Sequence, residues 1–440
     1  MDDVFTFTSS AFPKSTRVAS FHGREALSRP YEFEIFVSVP VEDAQTLDAQ
    51  DALGARAELG MHADWKETTT FKGLIDAVEL VHAHDRFAMF RVLLVPKLQR
   101  LSYTHHSRIF TQMALPDILK EVFDANGLTS NDYDLQLTGS YPTEEHVCQY
   151  RESDLAFVSR WLEHVGAYYF FDHGGDAEKL VVTDAKASHT DLPSAAVRYV
   201  PTSGDDQPAG QAIESFRYRA SSLPASVRIK DYDYTKPTLD VSGEAAVQKT
   251  GVGEISVYNA RVFTPDDATK LATLRAEELL ARQLEHFGSG SVHLRAGFCF
   301  TLDEHPLDAL NQKYLVTSCE HFGNLVAASP ELARRIHLPF KDVYRCESTS
   351  MPATVQWRPE RLTPWPRVYG FEHGVIDASA NSDYAQIDDR GRYNVKFFFD
   401  ESPLKDGKAS TLVRMMQPHG GGVEGFHFPL RKGTEVVLSF

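Results

Sequence analysis

The stretch CQYRESDLAFVSRWLEHVGAYYFF, from Cys148 to Phe171, carries the clearest structural signal in the sequence. After Ser153, apolar side chains recur at helical spacing and cover a stripe about 120° wide at 100° per residue. Gly166 stops this pattern, and the apolar run Ala167–Phe171 then indicates a β-strand. The stripe consists of Leu155, Val158, Trp161, Leu162 and Val165. The stretch therefore predicts a helix, a glycine turn and an aromatic strand, a unit that is typical of core packing.

The N-terminal part of the chain has the alternation of β-strands. Apolar and acidic residues alternate in Tyr31–Ile35, and Val37 and Val39 keep the same phase. Period-two alternation places one face of a strand on a core and the other in water. Phe71–Val81 and Arg91–Val95 predict further strands of the same half-buried antiparallel sheet.

The middle of the chain predicts two more helices and a strand. One helix opens with Pro116 in its first turn and ends at Gly127. A second opens at Thr264, which an acidic residue follows three positions later as in a capping box, and we expect it to run to about Phe287. Its leucines do not share one narrow stripe, so the sequence does not settle which side is covered. Val292–Phe300 then alternates apolar residues with others, which predicts a strand.

The C-terminal part predicts a linker and a small all-β domain. Met351–Pro366 carries four prolines, which favours a linker or an extended segment over a sheet centre. Tyr393–Phe399, Thr411–Met416 and Thr434–Phe440 predict strands separated by turns rich in Gly and Pro. The last of these strands has no closing turn, so we expect the chain to be the N-terminal portion of a longer protein, or its last strand to be completed by another chain.

Composition narrows the class of protein. The 440 residues contain 45 Lys+Arg and 61 Asp+Glu, a net charge of −16, and the length predicts about three domains at roughly 150 residues each. This acidity argues against broad binding to nucleic acid or anionic lipid. Neither a signal peptide nor an apolar run long enough to span a membrane is evident.

The cysteines form no CxxC motif, so we expect reduced, mostly buried thiols of a protein made in the cytosol. They are Cys148, Cys299, Cys319 and Cys346.

The histidine and glycine motifs of the sequence predict no metal or cofactor site. His82 and His84, the pair His105–His106, and Asp303–His305 are neighbours that could supply metal ligands. The chain has no HExxH motif, and we recognise no Cys/His pair at ligand spacing, so we interpret these histidines as surface or second-layer residues. Gly420–Gly425 fits GxGxxG, but no helix pattern follows it, which favours a flexible turn over phosphate binding.

Acidic residues give no catalytic site either. The pairs near turns are solvated in most proteins, and a glycan hydrolase would need two facing carboxylates about 5–9.5 Å apart. The chain has no GxSxG nucleophile motif. We therefore predict no catalytic, cofactor-binding or metal-binding residues and no enzyme. The pairs considered are Glu144 and Glu145, and Asp383 with Asp388 and Asp389.

Several motifs in order resemble the VgrG family. Phe21–Tyr31, FHGREALSRPY, looks like the opening of that family, and Arg108–Phe110 is similar to its RIF segment. The stretch from Cys148 to Phe171 is the most specific of these motifs. DRGRYNVKF at Asp389–Phe397 and FPLRKGTEV at Phe428–Val436 resemble the family's OB-fold segment. The resemblance covers essentially the whole chain.

The resemblance implies the fold class and the domains. VgrG proteins are mainly β with α/β insertions (α+β), having two tube-like β-barrels in a hub followed by an OB-fold barrel. For this sequence, the resemblance implies a first tube-like barrel at 1–100, an α/β middle domain at 101–205 and a second tube-like barrel at 206–350. It further implies a Pro-rich linker at 351–366 and an OB-fold domain at 367–440, whose last strand is cut short. We detect no sequence repeat for the duplicated barrel.

The resemblance also implies the function. VgrG proteins form the trimeric spike of the bacterial type VI secretion system, dock the hexameric Hcp tube, and carry a PAAR-type tip and effectors on a C-terminal needle. We therefore expect a non-enzymatic homotrimer with Hcp and baseplate partners, no nucleic acid and no integral membrane segment, assembled in the cytoplasm and secreted by contraction. The alternatives are the hub of a phage tail or extracellular injection particle, a cell-wall glycan hydrolase, and a nucleic-acid-binding OB-like barrel, against which the nearly balanced charge of 367–440 argues.

The chain departs from the family pattern at two places in the predicted OB-fold domain. Phe397–Phe399 stands where many members have Trp before the Asp, and Met416–His419 replaces a run that more usually contains Trp. The sequence also stops at Phe440, where the family usually continues into the needle.

Overall fold

A computed structural model describes residues 4–62, 68–83, 86–201, 211–326, 342–419 and 424–440. The chain divides into two compact units, each assembled from three segments. The first unit comprises Met1–Gln99, Ser130–Thr138 and Leu162–Glu360. The second comprises Arg100–Thr129, Gly139–Trp161 and Arg361–Phe440. Within the described ranges, no helix is both long and apolar enough to cross a bilayer.

Most of the regular structure is β. The strands are β1 (Phe5–Ser9), β2 (Arg17–Ala26), β3 (Arg29–Pro40), β4 (Arg56–His62), β5 (Thr68–Ala83), β6 (Phe87–Val95), β7 (His105–Phe110), β8 (Met113–Ala114), β9 (Tyr133–Gln136), β10 (Thr143–Glu144), β11 (Val147–Ser153), β12 (Tyr168–Asp172), β13 (Lys179–Thr183), β14 (Asp191–Tyr199), β15 (Ala212–Ala220), β16 (Ser226–Asp231), β17 (Val241–Ala246), β18 (Glu254–Tyr258), β19 (Leu284–Ser291), β20 (Cys299–Asp303), β21 (Lys313–Asn324), β22 (Tyr344–Pro352), β23 (Phe371–Asp377), β24 (Asn394–Phe397) and β25 (Glu435–Ser439). The α-helices are α1 (Val41–Ala44), α2 (Leu115–Ala125), α3 (Asp154–Val165) and α4 (Pro265–Leu280).

One twelve-stranded sheet dominates the first unit. Its order is β1-β4-β5-β6-β3-β2-β21-β20-β14-β15-β19-β22, and β22 also pairs with β21. The last six strands therefore close into a ring, a six-stranded β-barrel. Closure leaves these strands without free backbone edges. The prediction of a mainly β protein containing a β-barrel is thereby confirmed.

Alternation along β3 places aromatic and aliphatic side chains in the core, as predicted. Tyr31, Phe33, Ile35, Val37 and Val39 are all at most 1% exposed. The acidic residues between them are more exposed, so the strand has one buried face.

Two interior glycines make room for phenylalanine rings in this sheet. A Cβ added at Gly23 would lie 2.0 Å from Phe33 Cε1, and one at Gly323 would lie 2.1 Å from Phe21 Cε1. Both distances are far below van der Waals contact, so neither position has room for a Cβ atom while the phenylalanine ring stays in place.

The helix that opens at Thr264 is shorter than predicted. Thr264 Oγ1 accepts a hydrogen bond from Asp267 N–H at 3.1 Å, which confirms the predicted cap, but α4 ends at Leu280 instead of about Phe287. The following residues Leu284–Ser291 form β19, where Phe287 takes part in pairing with β15. Gly288 and Gly290 weaken helix formation here, and sheet pairing on both sides of the strand decides the conformation.

The predicted strand Val292–Phe300 is also wrong over most of its length. Residues 292–298 are irregular, and β20 begins only at Cys299. Residues 292–297 are buried without alternation, and Gly297 has φ +90°. The alternating pattern of residue types therefore lies in a segment that is buried throughout. In such a segment, periodicity gives no information about strand geometry.

The second unit holds α2, the N-terminal part of α3 and a small β-structure. β24, β23 and β25 form a three-stranded antiparallel sheet over a core that includes Ile376, Val395 and Phe397. Among the described residues, the predicted strand Thr411–Met416 forms one isolated bridge, between Val413 and Tyr393. The OB-fold and the bounds of the five predicted segments remain predictions.

Candidate functional site

The QYRESD motif in the second unit builds a buried polar network. Asp154, the first residue of α3, is fully buried. Its carboxylate accepts hydrogen bonds from Gln149 Nε2 at 2.7 Å, Asn126 Nδ2 at 2.6 Å and Arg108 Nη2 at 3.2 Å. A negative charge at a helix N-terminus is favourable, and three donors satisfy its oxygens. The motif thus fixes the start of the helix.

Arg160 extends this network one turn and a half along α3. Its guanidinium is 1% exposed and donates to Glu152 from Nε at 2.8 Å and from Nη2 at 2.6 Å. The same Nη2 donates to Cys148 O at 2.8 Å, and Trp365 stacks at 4.5 Å from the guanidinium carbon. The charged side chains of Asp154, Glu152 and Arg160 all have internal partners, so this buried part of the motif positions structural elements.

A second polar cluster lies buried in the first unit. Glu25 Oε1 accepts from Ala296 N–H at 2.9 Å and lies 3.2 Å from His321 Nε2, while Oε2 lies 3.6 Å from Arg295 Nε. Burial alone would raise the pKa of Glu25, but Arg295 and His321 outweigh it and hold the pKa below its usual value. The carboxylate is therefore charged at neutral pH.

Two thiols complete this cluster. Cys319, His321 and Cys346 are each at most 2% exposed, and one ligand atom from each lies within 4.8 Å of the others. A hydrogen bond with Cys319 and the charge on His321 lower the pKa of Cys346, whereas burial raises that of Cys319. Within the described residues, this is the one group of three or more Cys, His, Asp or Glu side chains with metal-ligand spacing.

Sequence analysis missed this cluster, although a signal was present. Cys319 and His321 are two residues apart, so a strand presents both on one face. The position of the third member, Cys346, depends on strand pairing, because β21 places His321 opposite Cys346 on β22. That register joins distant parts of the chain and cannot be read from local spacing.

The histidines considered from the sequence lie apart from this cluster. His106 pairs with Glu401 at 2.6 Å, and His105 is exposed on β7. His305 Nδ1 accepts from Leu307 N–H at 3.0 Å, a local turn contact. His82 lies on β5. His84 falls outside the described residues, as does most of the Gly420–Gly425 motif.

The acidic residues considered from the sequence also serve local structure. Asp388 forms an ion pair with Arg392 at 2.6 Å, and Glu145 accepts from Thr411 Oγ1 at 3.3 Å. Asp383 is exposed in a turn. These contacts fix loops, and they give no facing pair of carboxylates.

A cavity of about 470 Å³ borders the buried cluster in the first unit. His293 and Arg295 line it, together with Lys72 and His173. The Lys72 ammonium donates to the carbonyl of His173 at 3.1 Å, and His173 Nδ1 accepts from Lys72 N–H at 2.9 Å. Burial lowers the pKa of His173, so its ring is neutral. Lys72 and His173 thus hydrogen-bond to each other. The four residues named here offer no nucleophile–base pair.

Comparison with known proteins identifies the architecture. Residues 24–327 match the model of the phage tail baseplate hub (GPD) family. The chain is 28% identical over 437 residues to the type VI secretion system spike protein VgrG5 of Pseudomonas aeruginosa, with 96% of this chain and 54% of that protein covered. It is 27% identical to the actin cross-linking toxin VgrG1 of Vibrio cholerae, over 96% of this chain and 39% of the toxin.

A solved structure gives the same fold. The Escherichia coli protein c3393, described as a component of the type VI secretion system with structural similarity to the T4 tail proteins gp27 and gp5, superposes with a TM-score of 0.68 at 19% identity. The alignment covers 99% of this chain and 96% of that one. The chain spans about half the length of the curated spike proteins it matches. Since the family match covers well over half of its residues, the chain belongs to the phage tail baseplate hub (GPD) family.

Proposed function

We propose that this chain is the hub portion of the spike of a type VI secretion system, and that it acts by shape and not by catalysis. The observation that carries the proposal is the similarity to VgrG spike proteins along 96% of the chain, together with the hub family match. The hub docks the hexameric Hcp tube and helps to deliver effectors through target membranes.

The closed barrel supports a mechanical role. A spike must resist compression, and a barrel of six hydrogen-bonded strands has no free edge at which it can splay or aggregate. Joining a threefold hub to a sixfold tube requires each chain to offer two similar surfaces. The strands β1-β4-β5-β6-β3-β2 and the six-stranded ring are the two β-structures that would supply them.

The proposal includes a homotrimer and further partners. Baseplate proteins, a PAAR-type tip and effectors belong to the same assembly, which forms in the cytoplasm and is expelled by sheath contraction. Nucleic acid is not a proposed partner, because the chain carries a net charge of −16.

A genetic experiment tests this function. The gene is deleted in the host strain, and Hcp released into the culture supernatant is measured by immunoblot. The proposal predicts that Hcp release stops and that the wild-type gene restores it. Unchanged Hcp release in a strain with one such spike gene would contradict the proposal.

The second candidate is the hub of a phage tail or of an extracellular injection particle, which the description of the matched family favours. The same strains separate the two. Loss of tail-like particles after prophage induction, with Hcp release intact, would support the phage tail hub.

Absence of catalysis is tested separately, because one relative is named as a toxin. The purified chain is incubated with cell-wall suspensions and with actin. We expect no clearing and no cross-linked actin. Cell-wall clearing that a single Asp or Glu substitution abolishes would instead establish the glycan hydrolase.

A further inference from the structure

Three adjacent strands place four side chains with metal-ligating atoms on one buried face. Cys319 and His321 lie on β21, and β22 brings Cys346 opposite His321. On the other side of β21, β2 places Glu25 opposite Cys319. The set therefore combines two thiols, one imidazole and one carboxylate, the donor types that zinc binds in proteins.

The distances suit a single ion. The Cys319, His321 and Cys346 ligand atoms lie within 4.8 Å of one another. Ligand atoms around a tetrahedral zinc ion are separated by about 3.5–4 Å, as follows from metal–ligand distances of about 2.0–2.3 Å. Small side-chain rotations would bring these three atoms to that spacing. Glu25 Oε1 lies 3.2 Å from His321 Nε2, and a rotation of its side chain would bring it to the ion as the fourth donor.

The hydrogen bonds around His321 orient its ring for ligation. His321 Nδ1 lies 3.0 Å from Tyr344 Oη, and that hydroxyl donates to Val292 O at 3.4 Å. A hydroxyl that donates to a carbonyl accepts from Nδ1–H, so Nε2 is the ring atom that can bind a metal when His321 is neutral. Such an outer hydrogen bond to the second ring nitrogen is usual for zinc-binding histidines.

The charges also balance when an ion is present. Two thiolates neutralise Zn²⁺, the ring of His321 is neutral as a ligand, and Glu25 lies beside the Arg295 guanidinium at 3.6 Å. A buried site tolerates ions only when they are paired. We propose that Cys319, His321, Cys346 and Glu25 form a structural zinc site that ties β2, β21 and β22 together within the hub.

Metal content of the purified protein tests this site. The chain is purified without chelators and without added metal, and zinc per chain is measured by inductively coupled plasma mass spectrometry. Cys319→Ser and Cys346→Ser are compared with the matched control Cys299→Ser, a buried cysteine outside the cluster. We expect one zinc per chain in the wild type and in Cys299→Ser, and near-complete loss in the other two variants.

A second measurement covers variants that fail to fold. Wild-type protein is stripped with a chelator, and Co²⁺ is added, because thiolate-to-cobalt charge transfer gives an absorption band that Zn²⁺ then displaces. We expect saturation at one equivalent and a higher melting temperature on adding Zn²⁺. A wild-type chain with no bound zinc, no cobalt band and no rise in melting temperature would overturn the site. A Cys319–Cys346 disulfide found by thiol counting and peptide mapping would overturn it as well.

Discussion

Glu152 and Arg160 form a bidentate ion pair that is almost fully enclosed, with side chains 9% and 1% exposed. The pair lies in the motif that most clearly marks this chain, and it joins the end of β11 to α3. Its two short hydrogen bonds, together with that to the Cys148 carbonyl, fix the guanidinium in one orientation. A substitution at either residue would leave a buried charge without its partner.

Removing one partner of this pair should strongly destabilise the second unit. Arg160→Met leaves the Glu152 carboxylate buried without its cation, which costs about 3–5 kcal/mol. The free energy of unfolding from urea denaturation measures the loss. The control is Arg198→Met, which breaks the exposed pair with Glu304 and should cost less than about 1 kcal/mol. Equal losses in the two variants would contradict the assigned role.

Filling the space beside an interior phenylalanine should destabilise the large sheet. In Gly323→Ala the new Cβ would meet the Phe21 ring at 2.1 Å, so the ring or the strand must shift, at a cost of about 1–3 kcal/mol. Gly175→Ala is the control, because its nearest contact would be 3.6 Å away. Combining Gly323→Ala with Phe21→Leu should cost less than the sum of the single changes, as thermal unfolding would show. Strict additivity would argue against the clash.

Loss of the helix cap should weaken α4. Thr264→Ala removes the acceptor for Asp267 N–H, which costs about 1 kcal/mol. The control Thr273→Ala removes a hydroxyl that donates to Thr269 O within the helix, and we expect little change or slight stabilisation. Chemical denaturation compares the two. A Thr264→Ala protein as stable as the wild type would show that the cap is dispensable.

Acid should destabilise the barrel through His286. This ring is fully buried against Phe216 and Tyr314, and burial lowers its pKa to about 4 from 6.5. Between those values the unfolded chain binds more protons, so the contribution of His286 is present above about pH 6.5 and is lost as the pH falls toward 4. The loss amounts to roughly 1–3 kcal/mol.

A neutral variant isolates this contribution from the titration of carboxylates. Unfolding free energies are measured at pH 7 and pH 5 for the wild type, His286→Gln and the exposed-residue control His105→Gln. The wild type and the control should lose more stability on acidification than His286→Gln does. Parallel losses in all three proteins would show that His286 does not titrate on unfolding.

Local signals predicted the elements that lie within one stretch of sequence. The turn at Gly166, with φ +73°, separates α3 from β12 as the pattern indicated, and α2 and β3 were predicted equally well. These elements follow from side-chain periodicity and from the backbone freedom of glycine, both of which are local properties.

The remaining features depend on contacts between distant residues. The end of α4 is set by the pairing of β19 with β15 and β22. The local sequence near Phe287 does not show that either strand pairs there. Closure of the barrel requires β21 to pair with β22, and the buried ligand set arises from that same register with β2 added. Spacing within a strand shows which residues share a face, but it does not show which strands become neighbours.

We expect three copies of this chain to form a rigid hub that docks the Hcp ring. The most direct test is a cryo-electron microscopy reconstruction of the natural protein co-expressed with Hcp from the same strain. The reconstruction should show three copies around one axis against a single Hcp hexamer, with the six-stranded barrels around that axis. A monomer that does not bind Hcp and that holds a substrate in a cleft would contradict this expectation.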